Sequence, residues 1–270
     1  MLKQRILTIA VTAPVFIALV LYSPTAVFSY AVLLLLMLGA SEWARLSGLH
    51  TAATAVCYSL LFGVLILLAI FFPVPEDYHV WIYLAALCWW LIVSVWLVAY
   101  QRSRYVVHSP VLKLLMGLLT LLPPWYALTE IHASPVRGPG WVLLLFVVVW
   151  AADIGAYIAG KLYGRIKLAP AISPGKTIEG LGGGLLGAIL VVGVASFYFV
   201  SMPVMMLILL GMVTAALSVI GDLFGSMMKR MADVEDSGSL LPGHGGVLDR
   251  IDSMTIAAPL FAFGCLYWIS

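Results

Sequence analysis

Nine apolar runs of 17 to 22 residues follow one another along this chain, and their recurrence restricts the fold more than any other feature. At 1.5 Å per residue, a helix of that length crosses the roughly 30 Å hydrocarbon core of a bilayer, where only helices and closed barrels satisfy their own backbone. The runs are Ile6 to Tyr22, Pro24 to Ala40, Ala52 to Phe72, Val80 to Tyr100, Val111 to His132, Trp141 to Gly160, Leu181 to Val200, Pro203 to Gly221 and Ser253 to Ile269. They predict an all-α integral membrane protein of about nine transmembrane helices. Only 10% of the residues are charged and 63% are hydrophobic, with a mean hydropathy of +1.10. Soluble domains carry roughly 25% charge, so no soluble domain is expected here, nor a nucleic acid as partner. Tyr22-Ser23-Pro24-Thr25 lacks the small-residue cleavage site of a signal peptide, so the first run counts as a span. Cys57, Cys88 and Cys265 fall inside runs without paired spacing, which reads as buried small hydrophobes rather than a disulfide framework or a zinc site.

The placement of charge orients the chain. With a cytoplasmic N-terminus and an external C-terminus, Lys3, Arg5, Arg45, Arg102, Arg104, Lys161, Arg165, Lys167, Lys176, Lys229, Arg230 and Arg250 all lie on the cytoplasmic side, Lys113 lies nearest it, and Arg137 falls outside. Acids divide the chain in two. Before Trp141 the loops are short and hold only Glu42, Glu76, Asp77 and Glu130. After it come Asp153, Glu179, Asp222, Asp233, Glu235, Asp236, Asp249 and Asp252. Residues 1–140 therefore read as a transmembrane scaffold and 141–270 as a catalytic region, whose site is formed by two long cytoplasmic loops, Lys161 to Gly180 and Asp222 to Asp252. Trp81, Trp141, Trp150 and Trp268 sit near run ends, where aromatic belts form. Gly183 and Gly187 are spaced to let two helices approach closely.

Three stretches have the residue types of phosphate chemistry. Ser173-Pro174-Gly175-Lys176-Thr177 ends like a P-loop, but Pro170 stands where a P-loop requires another glycine. What remains is a cation, the hydroxyls of Ser173 and Thr177, and a helix start near Thr177 whose amides favour anions. An ordinary cap in a basic loop explains that segment equally well. Asp222, Ser226 and either Lys229 or Arg230 fall at i, i+4 and i+7 or i+8, one face of a helix leaving the eighth run. A carboxylate at membrane depth is costly, which marks Asp222 as functional. In Pro242-Gly243-His244-Gly245-Gly246-Val247-Leu248-Asp249-Arg250-Ile251-Asp252, two acids three apart share a helix face if a helix begins near Val247, and the glycines around His244 leave amides for phosphate oxygens. With Asp222, Asp249 and Asp252 make an oxygen-rich site suited to Mg²⁺. Read alone, Asp249 could also be a helix cap and His244 a solvated loop residue.

Together these segments resemble a known family. Ser226-x-x-Lys229-Arg230, Asp236-Ser237-Gly238 and the glycine stretch ending in Asp249-Arg250-x-Asp252 are similar to the C-terminal signature of the phosphatidate cytidylyltransferases, or CDP-diacylglycerol synthases. Asp153-x-x-Ala156-Tyr157-x-x-Gly160-Lys161 and Ser173-Pro174-x-Lys176-Thr177-x-Glu179-Gly180 resemble a second stretch of that family, and the match covers about the last 120 residues. The resemblance implies transfer of a cytidylyl group from CTP to phosphatidic acid in a bacterial cytoplasmic membrane, and a homodimer. It implies Mg²⁺, with a second cation allowed, on Asp222, Asp249 and Asp252. It further implies that Lys229, Arg230, Asp236, His244 and Arg250 act in catalysis and that Asp153, Tyr157, Lys161, Ser173, Lys176, Thr177, Glu179, Ser226, Gly245 and Gly246 bind substrate. Glu235 departs from the pattern, which has lysine there. Other readings of the same residues fit less well. A CTP-dependent polyprenol kinase would need a base for a hydroxyl acceptor, and a cation-coupled transporter would place its acids in mid-span.

Overall fold

In the computed structural model, which describes residues 13–199, 203–238 and 245–267, the apolar runs are built around helices. Lys3, Arg5, residues 6–12 of the first run, His244 and Trp268 lie outside the described residues. The helices are α1 (Ala13–Tyr22), α2 (Thr25–Leu46), α3 (Ala52–Phe71), α4 (His79–Ser103), α5 (Pro110–Ala133), α6 (Gly138–Tyr163), α7 (Ile178–Ala195), α8 (Val204–Met231) and α9 (Leu248–Tyr267). Local chemistry sets their starts. Thr51 Oγ1 accepts the Thr54 amide at 3.2 Å to open α3, and Ser109 Oγ accepts the Leu112 amide at 3.3 Å ahead of Pro110, whose fixed φ suits a first helical position.

Among the described residues, seven helices, α2 to α8, are long and apolar enough to cross a membrane. Ten residues of α1 are described, and α9, although 20 residues long, carries Asp249, Arg250 and Asp252 in its first turns. The outer surface confirms the solvent: Leu34, Leu91, Ile92, Val95 and Leu190 are 61% to 72% exposed, an arrangement that lipid accommodates and water penalises. Cys57 and Cys88 lie on this outer surface and only Cys265 is buried, so the expectation of three buried thiols holds for one. Trp81 is exposed near its helix start, as a belt residue would be. Trp141 is instead buried, stacked on Phe199 with centroids 4.0 Å apart.

The segment from Lys161 to Gly180 is more ordered than a loop. An antiparallel hairpin of β1 (Lys167–Ala169) and β2 (Ser173–Thr177) pairs Lys167 with Thr177 and Ala169 with Ser173. Pro170 follows Ala169, whose carbonyl accepts the Ile172 amide at 3.1 Å, so proline sits at the second position of a β-turn, where its φ is already correct. This is the one departure from an all-helical chain among the described residues.

α6 and α7 form the tightest helix pair, and small residues make it so. A Cβ added at Gly183 would overlap Ala159 and the Gly155 carbonyl, and one at Gly187 would meet the Ala151 carbonyl at 2.5 Å, as their spacing predicts. Beneath the site, Phe224 of α8 sits among Trp43, Trp89, Trp90 and Trp96, with centroids 5.6 to 6.0 Å away, tying α2 and α4 to α8. Because successive helices reverse, α2, α4, α6 and α8 end where α3, α5, α7 and α9 begin. The hairpin and the turn before α9 both lie at that end.

Candidate active site

The first half of the site is the hairpin and the helices it joins. Thr177 caps α7, its Oγ1 accepting the Gly180 amide at 3.0 Å, so the helix does open where the sequence placed it. Glu179 turns back to accept the Ile166 amide at 3.2 Å on both oxygens, fixing the strand entry rather than pointing into the cleft. Between α6, α7 and α8 lies a cavity of about 450 Å³. Its charged and polar walls are Lys161, Ser173, Lys176, Asp153 and Asp222, with Tyr157 beneath the Lys161 ammonium at 5.7 Å. Ala152, Leu181, Gly184, Ala215 and Val219 line the same cavity, so charged and apolar walls meet in it.

The second half comes from α8 and α9. Asp222 Oδ2 binds Lys176 Nζ at 2.5 Å, and Asp222 Oδ1 accepts Ser226 Oγ at 3.3 Å, as the four-residue spacing requires. One turn on, Lys229 pairs with Asp249 at 2.5 Å, while Arg230 reaches the hairpin through the Ile172 carbonyl at 3.4 Å. Arg230 thus faces the hairpin that also carries Lys176, and Lys229 faces α9. Asp249 Oδ2 accepts the Ser237 amide at 2.9 Å, the Ser237 hydroxyl at 3.0 Å and the Gly246 amide at 3.0 Å. It organises the turn before α9, capping included, and it engages the Gly246 amide that the sequence left open for phosphate. Gly245 adopts φ +78°, with Asp236 and Asp249 both about a Cβ contact away, so a side chain there is opposed by backbone and space alike. Asp236, Glu235 and Arg250 are exposed around this turn.

Asp252 packs against α8, where a Cβ on Gly225 would lie 3.2 Å from its Oδ2; its Oδ1 accepts the Ser253 amide at 2.7 Å. Asp222 acts electrostatically on both Asp252 and Asp153, so three acids and the Lys176 ammonium share one neighbourhood. Among the described residues no three His, Cys, Asp or Glu side chains form a closed metal cluster. Mg²⁺ does not require one, since it is held by one or two carboxylates together with substrate phosphates. Asp222 and Asp252 fit that requirement, and Asp249 is committed to Lys229 and the turn.

One member of the site escaped the sequence reading. Glu42, from α2, is fully buried and accepts the Val247 amide at 3.0 Å, the Leu248 amide at 2.8 Å and the Ser237 hydroxyl at 2.8 Å. Its signal was a lone acid at the end of an apolar run. A larger cavity, about 550 Å³, opens at the opposite end of the bundle beside Glu76, His79 and Glu130, but none of the expected site residues lines it. There Glu130 is already satisfied by His79 at 2.9 Å and by the Tyr83 hydroxyl.

Comparison with known proteins agrees with the geometry. A phosphatidate cytidylyltransferase of Pseudomonas aeruginosa is 40% identical over 272 residues, covering 99% of this chain and 97% of that protein. One from Haemophilus influenzae is 36% identical over 287 residues, covering 97% and 98%. One from Staphylococcus aureus is 50% identical over 127 residues, covering 46% and 48%. The model of the cytidylyltransferase family matches residues 3–268, and the chain belongs to that family.

Proposed function

We propose that this protein transfers the cytidylyl group of CTP to phosphatidic acid, forming CDP-diacylglycerol and releasing pyrophosphate. The observation that carries the reading is the cavity between α6, α7 and α8, which sets Lys176, Asp222 and Asp153 beside apolar walls of Ala152, Leu181, Ala215 and Val219. A substrate with a phosphate head and hydrocarbon tails matches that polarity. Its tails stay among the helices while the head group meets the nucleotide at the membrane surface. The relatives named as phosphatidate cytidylyltransferases support the same reaction.

The reaction joins two anions, so charge and positioning set its barrier. Lys176 binds phosphate oxygens, exchanging Asp222 for substrate, while Lys229 stays on Asp249 and adds its charge beside the site. The N-terminus of α7, at Thr177 and Gly180, adds its dipole to the same cavity. Asp222 and Asp252 would hold Mg²⁺, which neutralises developing charge on the triphosphate when bound. No strong base is required, because a phosphate monoester is already an anion near neutral pH. The site end faces the cytoplasm of a bacterial inner membrane, where the nucleotide is available, and the protein works as a homodimer.

Purified protein given CTP labelled at the α-phosphate should produce labelled lipid from phosphatidate, with stoichiometric pyrophosphate. Transfer of γ-phosphate label to a polyprenol, without α-label in lipid, would replace this reading with a kinase.

A further inference from the structure

We propose that Glu42, from the N-terminal half of the chain, is a positioning residue for the reaction, setting the place of Asp249 and Lys229 through Ser237 and the first turn of α9. The inference rests on the proposed reaction for its kinetic readout but on geometry for its basis. Glu42 Oε1 accepts the Val247 amide at 3.0 Å, and Oε2 accepts the Leu248 amide at 2.8 Å. These amides belong to the start of α9, which has no partner for them within the helix and whose dipole favours an anion. Oε2 also accepts the Ser237 hydroxyl at 2.8 Å, and the same hydroxyl lies 3.0 Å from Asp249 Oδ2. The Ser237 hydroxyl thus lies within hydrogen-bond reach of both carboxylates, and the second of them holds Lys229 at 2.5 Å.

A separate observation points the same way. A Cβ on Gly238 would overlap the Glu42 carboxylate, and a Cβ on Gly246 would overlap both the Ser237 hydroxyl and Glu42. Neither glycine is required by a positive φ, so their small size is explained by room for this carboxylate. Glu42 is itself rigidly mounted. Its neighbour Trp43 is 1% exposed, donates its indole N–H to the Lys113 carbonyl at 2.7 Å and packs on Phe224. A simple helix cap would call for a short polar residue beside α9; a buried acid 206 residues away does more than cap.

The test uses the full-length protein in lipid nanodiscs, with Glu42→Gln, Glu42→Ala, Ser237→Ala and the Glu42→Gln/Ser237→Ala double variant. Glu42→Gln keeps the shape but sets an NH₂ against an amide donor. Its kcat should fall about 10- to 100-fold, the range for losing a residue that orients a reacting group, while KM for either substrate moves far less. Adding Ser237→Ala should cost little more, since both act through one link. Amide exchange at Ser237, Gly246, Val247 and Leu248 should quicken in Glu42→Gln while later turns of α9 stay protected. Wild-type kcat in Glu42→Ala, or losses that multiply independently with Ser237→Ala, would overturn the proposal. So would unchanged exchange at those amides. If wild type itself forms no CDP-diacylglycerol, the reaction is wrong, and the exchange result still decides the role of Glu42 in the turn.

Discussion

Lys176 and Lys229 each hold a carboxylate at 2.5 Å, yet the two pairs carry different weight. The Lys176–Asp222 side chains are 23% and 32% exposed, against 16% and 9% for Lys229–Asp249. An open pair contributes about 0 to 1 kcal/mol, whereas stranding one partner of an enclosed pair costs about 3 to 5 kcal/mol. Lys176 is accordingly free to exchange its carboxylate for a phosphate. Lys176→Ala should leave thermal unfolding almost unchanged while raising KM for CTP roughly 10-fold or more, the loss of one charge-assisted hydrogen bond, and KM for phosphatidate less. Steady-state titration of each substrate checks this, and equal losses for both would remove Lys176 from the nucleotide. Glu235 is exposed next to Asp236, where the family pattern has lysine. Two opposite charges at about 4 Å in water differ from two like ones by about 1 kcal/mol or more, so Glu235→Lys should lower KM for CTP roughly fivefold at low salt and less at high salt. Identical constants at both salts would make Glu235 a bystander. Asp222, Ser226 and a cation at Lys229 or Arg230 were legible because helical period alone puts them on one face. Glu42 was not, because period says which way a residue points within its helix and nothing about which distant amides will come to meet it.

The pairing of α6 with α7 depends on what is missing from the sequence: side chains at Gly155, Gly183, Gly184 and Gly187. In lipid, hydrophobic burial does not drive helices together, so close backbone approach has to. Gly183→Val should therefore lower stability by about 1 to 3 kcal/mol, the usual cost of overpacking, and should move the hairpin that α6 and α7 carry between them. Thermal unfolding in nanodiscs measures the first, and loss of the Lys176–Asp222 geometry appears as reduced turnover at temperatures where the variant is still folded. A variant with wild-type melting and turnover would show that the interface tolerates a wider spacing. The glycine spacing was readable; the hairpin was not, since Lys167 to Thr177 has no alternating pattern and its turn rests on Pro170. The helix leaving the eighth run was readable from the spacing of its polar residues, though not from hydropathy. α8 runs to Met231, ten residues beyond the apolar run, because hydropathy marks the edge of the lipid and not the end of the hydrogen bonding. There Asp233, at φ 56°, ends the helix with the Val234 amide on the Lys229 carbonyl at 3.0 Å, a stop that depends on backbone conformation rather than on polarity.

Across the whole molecule, the alternation of helix directions puts Tyr105 at the site end and Asp77 at the other, both exposed. If the site faces the cytoplasm, then in a background without native cysteines a Tyr105→Cys probe should react with a membrane-impermeant maleimide only after permeabilisation, and Asp77→Cys should react in intact cells. The reverse pattern would invert the topology. The division into scaffold and catalytic region, drawn from where the acids fall, does not describe how the site is assembled, since Glu42 reaches α9 from the other half. That separation has a consequence in time. Helices enter the bilayer in order as they are synthesised, and Leu248 is made 206 residues after its partner. At about 5 to 20 residues per second, Glu42 waits roughly 10 to 40 s before the amides that neutralise its burial exist. Until those amides exist, the turn that places Asp249 and Lys229 is incomplete, so CTP turnover is expected to begin only once the last described helix is in place.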